Sequence, residues 1–278
     1  MIFFLLSLIC STLVSVFMRL SEKYISNNLS TLACNYAVCS LVAFLYTGTT
    51  DLLPNVPGLG LTLGLGFVSG ILFLGAFMLL QWNMYKNGVS LPSTFMKLGV
   101  VVPTVMALTL FGEKPTFVQI AGIILVLVSI LMMRSEKGSA QVTSYASLIA
   151  LLLVGGMASA MTKVYDYYGV TALENHFLFY NFAVAFLLCV VLCVLRGQRL
   201  APADALFGVL VGVPNYFSTL FLLMALETVP AIVAYPASSV GSIVLILLCG
   251  RFFFRERLTK KQLIAIGVIL VSLVLLNL

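Results

Sequence analysis

Ten apolar stretches, each about as long as a membrane-spanning helix, fill almost the whole chain and restrict what it can fold into. A helix needs about 20 mostly apolar residues to cross the hydrocarbon core of a bilayer. The stretches are 2–20, 30–48, 59–85, 89–111, 116–134, 143–168, 173–195, 203–227, 231–253 and 260–277. They are apolar on every side, whereas the strands of a membrane barrel alternate polar and apolar residues. We therefore predict an all-α integral membrane protein with ten transmembrane helices, numbered here as spans 1 to 10.

The composition argues against a soluble fold. Of the 278 residues, 62% are hydrophobic and only 9% are charged, whereas a soluble domain has about 25% charged residues. A chain of this length cannot hide so much apolar surface from water. The charges lie at the ends of the apolar stretches, so the net charge of +6 reflects membrane topology. We expect the lipid bilayer as a partner and no nucleic acid.

Polar residues recur at a fixed spacing and divide the chain in two. The segment FGEKPT at 111–116 matches FRERLT at 254–259, a shift of 143 residues. Further pairs at a shift of 143 or 144 are Gln119 with Gln262, Ser129 with Ser272, Ser15 with Ser159, Arg19 with Lys163, and Glu22 with Asp166. We predict an N-terminal five-helix repeat at 1–134, a linker at 135–142 and a C-terminal five-helix repeat at 143–278. Because five is odd, the second repeat must cross the membrane in the opposite sense, and such inverted repeats are typical of secondary transporters.

Basic residues are concentrated in the connections on one side of the predicted membrane topology. Twelve Lys and Arg residues lie in or beside the odd-numbered connections between spans, and two, Lys114 and Lys163, lie beside the even-numbered ones. Short loops rich in Lys and Arg prefer the cytoplasm. We therefore predict a multi-pass protein of the plasma or inner membrane whose two termini are both non-cytoplasmic.

The doubled motif resembles that of the drug/metabolite transporter superfamily, in particular its ten-helix EamA-type members. The matching residues are Gly112, Glu113, Gln119 and Gly122 in the first half, Glu256, Gln262 and Gly267 in the second, and Pro103 in span 4. The resemblance covers the whole chain. It implies a central cavity lined by spans 1, 3, 4, 6, 8 and 9, with spans 5 and 10 behind, and export or exchange of small metabolites without ATP. Members of this kind commonly have cytoplasmic termini, the reverse of the orientation that the charges here predict.

Polar side chains inside the spans are the candidates for substrate binding, because burying them in hydrocarbon is costly. Lys97 lies about eight residues into span 4, roughly 12 Å deep at 1.5 Å per residue. It can bind a carboxylate or phosphate, or carry a charge that protonation controls; the alternative is an ammonium that reaches back to the interface. The other candidates are Asn215 and Tyr216 beside a proline in span 8, Tyr235 and Ser239 beside a proline in span 9, Ser93 in span 4 and Gln81 at the end of span 3.

Two charged pairs at equivalent places in the repeats are candidate gates. Arg19 and Glu22 end span 1, and Lys163 and Asp166 end span 6. Residues three apart share one face of a helix, so each pair can form an ion pair. The inverted repeat would place the pairs on opposite membrane faces, where they act either as alternating gates or as interface anchors.

Two further features predict helix packing. Gly155 and Gly156 in span 6 offer a small-residue face for close helix contact. Asn35 in span 2 is a candidate for a hydrogen bond between helices.

The sequence as a whole favours a secondary active transporter, an exporter of a small polar or amphipathic metabolite such as an amino acid or carboxylate, working by alternating access. A proton is the candidate coupling ion. The alternatives are a lipid-linked-sugar flippase and, less favoured because the single charges are scattered, a membrane-embedded enzyme. The chain has no Walker-type loop, H-E-x-x-H or G-x-S-x-G motif, so we expect no ATP, metal, other cofactor or catalytic residue.

Overall fold

The computed structural model describes residues 2–21, 24–87, 90–132, 145–252 and 260–276. Within these ranges all regular structure is helical. The helices are α1 (Ile2–Ser21), α2 (Asn28–Tyr46), α3 (Leu59–Asn87), α4 (Ser90–Leu98), α5 (Val101–Thr109), α6 (Phe117–Met132), α7 (Tyr145–Tyr168), α8 (Glu174–Leu195), α9 (Pro202–Leu226), α10 (Ala231–Phe252) and α11 (Lys260–Leu276), with a 3-10 turn at Thr171–Leu173 before α8.

Apolar helices make up most of the described residues, and they differ in length. Five are long and apolar enough to cross a membrane on those grounds: Asn28–Tyr46, Leu59–Leu80, Tyr145–Tyr168, Thr171–Leu195 and Pro202–Leu226. The shorter apolar helices are Ile2–Met18, Phe95–Thr109, Phe117–Met132, Ala231–Ile246 and Gly267–Leu276.

Large apolar side chains cover the outside of these helices. Phe117 is 92% exposed, Leu195 76% and Val194 74%. Soluble monomers rarely expose extended apolar surface, because contact between apolar surface and water costs free energy. In a bilayer the same side chains face hydrocarbon, so this fold requires a membrane.

Span 4 differs from the prediction, because the helix predicted at 89–111 is broken in two. α4 ends at Leu98 and α5 begins at Val101. Pro103 has no N–H group and cannot donate to the carbonyl oxygen of Gly99, four residues earlier. That oxygen instead accepts a shorter-range bond from the N–H of Val102 at 3.0 Å. Lys97 consequently lies in the last turn of α4, next to the break.

The described residues form two compact units. Unit 1 contains Gly75–Ala160 and Ala225–Leu278, and unit 2 contains Ile2–Leu74 and Met161–Met224. Each unit therefore combines segments from both of the repeats that the sequence predicts.

In unit 2, two Gly-x-x-x-Gly pairs bring helices into close contact. A Cβ atom added at Gly70 on α3 would lie 2.6 Å from the carbonyl oxygen of Asn181 on α8. A Cβ atom added at Gly212 on α9 would lie 2.8 Å from the carbonyl oxygen of Asn35 on α2. Only glycine permits backbones to approach this closely. Gly70 and Gly212 are 142 residues apart, so the same packing recurs at nearly the repeat spacing.

In unit 1, α6 packs against α11, and a repeat-related pair of serines shares one environment. Ser129 on α6 and Ser272 on α11 are both fully buried. Each hydroxyl donates to the carbonyl oxygen three residues earlier at 2.7 Å. A Cβ atom at Gly122 on α6 would lie 3.0 Å from Leu276 Cγ on α11, so this helix pair is also closely packed.

Candidate functional site

A cavity of about 300 Å³ lies within unit 1, beside the break between α4 and α5. Helices α3, α4, α5, α7 and α10 and the break itself contribute its lining. The lining residues are Leu80, Met96, Lys97, Val100, Pro103, Ser159, Tyr235 and Ser239. Its volume is at the small end of the range of about 300–1,000 Å³ that is typical of ligand pockets.

Lys97 provides the only charge among the described residues that line this cavity. Its side chain is half-buried, and within the described part of the chain its ammonium group has no hydrogen-bond or ion-pair partner. The carbonyl groups at the end of α4 carry partial negative charge, which favours a cation in the last turn. An ammonium group in hydrocarbon nevertheless needs a counter-charge or water. The cavity therefore has the electrostatic character of an anion site.

Close backbone contact with α7 holds the break in place. A Cβ atom at Gly156 would lie 2.4 Å from the carbonyl oxygen of Gly99 and 2.5 Å from Val102 Cγ2. A Cβ atom at Gly99 would lie 3.0 Å from the carbonyl oxygen of Leu152. The close helix contact predicted from Gly155 and Gly156 is thus confirmed. It also brings Ser159, about one turn further along α7, into the cavity lining.

α10 contributes two hydroxyl groups to the cavity. Tyr235 and Ser239 are four residues apart and share one face of the helix. Tyr235 is buried and Ser239 is half-buried. Together with Ser159 they add three hydroxyl groups to the ammonium of Lys97, while the remaining lining is apolar. This arrangement can bind a small anion that has an apolar part, because hydroxyl and ammonium groups donate to carboxylate oxygens.

Two predicted site residues lie in unit 2 and do not line this cavity. Asn215 donates from Nδ2 to Asn35 Oδ1 at 3.2 Å, so the hydrogen bond between helices predicted for Asn35 is present. Tyr216 is fully buried, with its ring centroid 5.7 Å from that of Tyr46 and 6.3 Å from that of Phe182. Its hydroxyl group has no hydrogen-bond partner among the described residues.

One of the two predicted ion pairs is observed. Lys163 Nζ lies 2.8 Å from Asp166 Oδ2 near the end of α7 in unit 2. For the other pair, Glu22 lies outside the described residues, and the side chain of Arg19 is not described. The side chains of Gln81 and Ser93 are likewise outside the described part.

Sequence reasoning did not assign Ser159 to the site. The available signals were its place as the one hydroxyl residue between Gly155 and Ala160 and its pairing with Ser15 in the repeat. Neither signal shows which side of α7 faces the cavity. The structure shows it, because α7 packs against the break and Ser159 then lines the cavity.

The comparisons with known proteins bear on the whole chain. The model of the EamA-like transporter family matches residues 1–135 and again residues 143–278. This chain belongs to the EamA-like transporter family. The resemblance inferred from the motif at 111–116 and its second copy at 254–259, in which Arg255 replaces the glycine, is confirmed. This EamA-like transporter is a multi-pass membrane protein of the drug/metabolite transporter type.

A solved structure supports the fold of this EamA-like transporter. The structure, described only as "Crystal structure of protein", aligns over 99% of this chain and 94% of that chain with a TM-score of 0.75. The two sequences are 13% identical, so the likeness concerns the fold alone. A search of curated proteins found no match.

Proposed function

We propose that this EamA-like transporter is a secondary active exporter of a small polar or amphipathic metabolite that carries a carboxylate, such as an amino acid. The observation that carries the proposal is the ammonium of Lys97 in a small cavity, where no described residue pairs with it. A carboxylate at this place would neutralise the lysine, and the hydroxyl groups of Tyr235 and Ser239 would donate to its remaining lone pairs. The hydroxyl of Ser159 donates to the carbonyl oxygen of Gly155 at 3.0 Å and would have to turn away from it to bind the substrate. The apolar lining would contact the rest of the substrate.

The proposed architecture has ten spans arranged as two five-helix repeats of inverted topology. The five long and five shorter apolar helices support ten crossings. The recurrence of glycine packing at Gly70 and Gly212, and of buried serines at Ser129 and Ser272, supports a structural repeat. In such folds the substrate site is exposed to each side of the membrane in turn.

The other predicted residues keep their proposed roles in this mechanism. Asn215, Tyr216, Gln81 and Ser93 would contribute to substrate binding in other states of the transport cycle. The pairs Arg19 with Glu22 and Lys163 with Asp166 would act as gates, each of which opens when its ion pair separates. We take a proton as the coupling ion, the plasma or inner membrane as the location, and the non-cytoplasmic side for both termini.

Counterflow in proteoliposomes tests this function. Purified protein is reconstituted into vesicles loaded with one unlabelled compound, and entry of the same labelled compound is measured. The compounds are leucine, glutamate and pyruvate as carboxylates, inorganic phosphate as a second anion, and putrescine as a cation. We expect transient accumulation of at least one carboxylate and none of putrescine, because the cavity presents an ammonium group to its contents.

The outcomes separate the candidate functions. Accumulation of putrescine alone would overturn the assignment of an anion site. Accumulation of phosphate without any carboxylate would replace the proposed substrate class by another anion. Chemical conversion of a compound without accumulation would contradict a carrier and favour an enzyme.

A further inference from the structure

The turn between α5 and α6 fixes one glutamate at the end of α5. Gly112 has a φ of 65°, a left-handed conformation that other residues rarely adopt. This conformation turns the chain back, so that the N–H of Glu113 donates to the carbonyl oxygen of Ala107 at 2.9 Å. The backbone of Glu113 is therefore attached to the end of α5 rather than free in a loop.

The carboxylate of Glu113 binds the start of α10, 118 residues further along the chain. Its Oε1 accepts from the N–H of Ala231 at 3.0 Å, and its Oε2 accepts from the N–H of Ile232 at 2.8 Å. The first N–H groups of a helix have no partner within the helix. They are usually capped by the side chain of the preceding Ser, Thr, Asp or Asn. Here the preceding residue is Pro230, which has no side-chain acceptor.

This external cap connects two walls of the cavity. α5 contributes Pro103, and α10 contributes Tyr235 and Ser239. Tyr235 lies four residues after Ala231, or about 6 Å along the helix axis at 1.5 Å per residue. A shift of the first turn of α10 is transmitted over this distance because both residues lie in one continuous helix, Ala231–Phe252. Pro236 has no N–H to donate to the carbonyl oxygen of Ile232, but the helix continues through it.

We propose that Glu113 is a positioning residue for transport, which holds the first turn of α10 against the end of α5 and thereby sets the position of Tyr235 and Ser239 in the cavity. The transport role rests on the function proposed above, whereas the cap and its effect on the cavity wall do not. The negative charge is part of the role, because it interacts favourably with the N-terminal end of the helix dipole.

Hydrogen exchange measures the cap directly. The variants are Glu113→Gln, which keeps one acceptor oxygen, and Glu113→Ala, which keeps none. The matched control is Glu227→Gln. Glu227 is exposed in the turn just before α10, and its replacement by Gln removes the same charge as Glu113→Gln. In Glu113→Ala we expect the amides of 231–234 to exchange about tenfold faster, which corresponds to about 1.4 kcal/mol. Glu113→Gln should lie between this value and the wild type, and Glu227→Gln should match the wild type.

A thiol reporter measures the position of the cavity wall. Ser239→Cys is combined with each of the three variants and labelled with the anionic reagent 2-sulfonatoethyl methanethiosulfonate, with the native cysteines of the parent protein as background. We expect the rate of labelling at position 239 to change by a factor of about 3 to 30 when Glu113 is replaced by Ala. It should not change when Glu227 is replaced by Gln.

Each result decides the proposal without a known substrate. Unchanged exchange at 231–234 in Glu113→Gln and Glu113→Ala would show that the cap is dispensable and overturn the proposal. Faster exchange with an unchanged labelling rate would show a purely local cap and overturn the positioning role. If Glu113→Ala does not fold, the graded effect of Glu113→Gln on both measurements still decides. A failed counterflow experiment would remove the transport role. The hydrogen-exchange and thiol-labelling results would still test the cap and its effect on the cavity wall.

Discussion

The ammonium group of Lys97 is the single charge that the described part of the chain contributes to the cavity lining, and its replacement is the most direct test at the scale of a residue. Lys97→Met keeps most of the length and the flexibility of the side chain and removes the charge. Hydrogen bonds to charged groups contribute about 1.5–3 kcal/mol. We therefore expect counterflow of a carboxylate substrate to weaken about 10- to 100-fold, while the amount of protein inserted in the membrane stays the same.

Two other variants show whether the loss of counterflow comes from the charge at position 97. Lys86→Met removes a lysine of the same unit that lies over the ring of Trp82, 4.0 Å from its centroid, and that does not line the cavity; it should transport normally. Lys97→Arg keeps the charge and should retain part of the activity. Unchanged uptake in Lys97→Met would remove this lysine from the site.

At the scale of elements, the contact between α7 and the α4–α5 break requires glycine at position 156, whereas position 155 has room for a methyl group. In Gly156→Ala the new methyl group would meet Gly99 and Val102, whereas in Gly155→Ala the nearest atom is Met96 Cγ at 3.9 Å. Overpacking costs about 1–3 kcal/mol, and the better helix propensity of alanine offsets only about 1 kcal/mol.

Thermal stability in detergent, measured as the fraction that remains monodisperse after heating, separates the two variants. We expect Gly156→Ala to lose its native state at a lower temperature than the wild type and Gly155→Ala to be as stable or slightly more stable. Equal stability of the two variants would contradict the close approach of α7 to the break.

At the scale of the whole molecule, the distribution of basic residues predicts the orientation in the membrane. The odd-numbered connections hold most of the Lys and Arg residues, and such connections prefer the cytoplasm. Fusions of a reporter that is active only outside the cytoplasm should therefore be active at either terminus and inactive in the connection between spans 5 and 6. The complementary reporter, active only in the cytoplasm, should give the reverse pattern. Activity of the cytoplasmic reporter at the C-terminus would reverse the predicted topology.

Several features of this protein could be predicted because they depend only on residues close together in the chain. The helical spans follow from apolar stretches of sufficient length, since the free energy of transfer into a bilayer is set by local composition. The ion pair of Lys163 with Asp166 follows from a spacing of three. The family follows from a motif that occurs twice. Lys97 was a candidate because a charge within such a stretch needs a functional reason.

Only the tertiary structure decided which of these residues meet. It placed Lys97, Ser159, Tyr235 and Ser239 around one cavity, and it placed Asn215 in the other unit, bonded to Asn35. Contacts between distant parts of a chain depend on how helix surfaces fit together, and apolar helices of similar composition leave that choice open. The cap that Glu113 places on α10 is the clearest case. The sequence shows Glu113 and Pro230, which are 117 residues apart. Only the packing shows that the carboxylate of Glu113 accepts hydrogen bonds from the first N–H groups of the helix that follows Pro230.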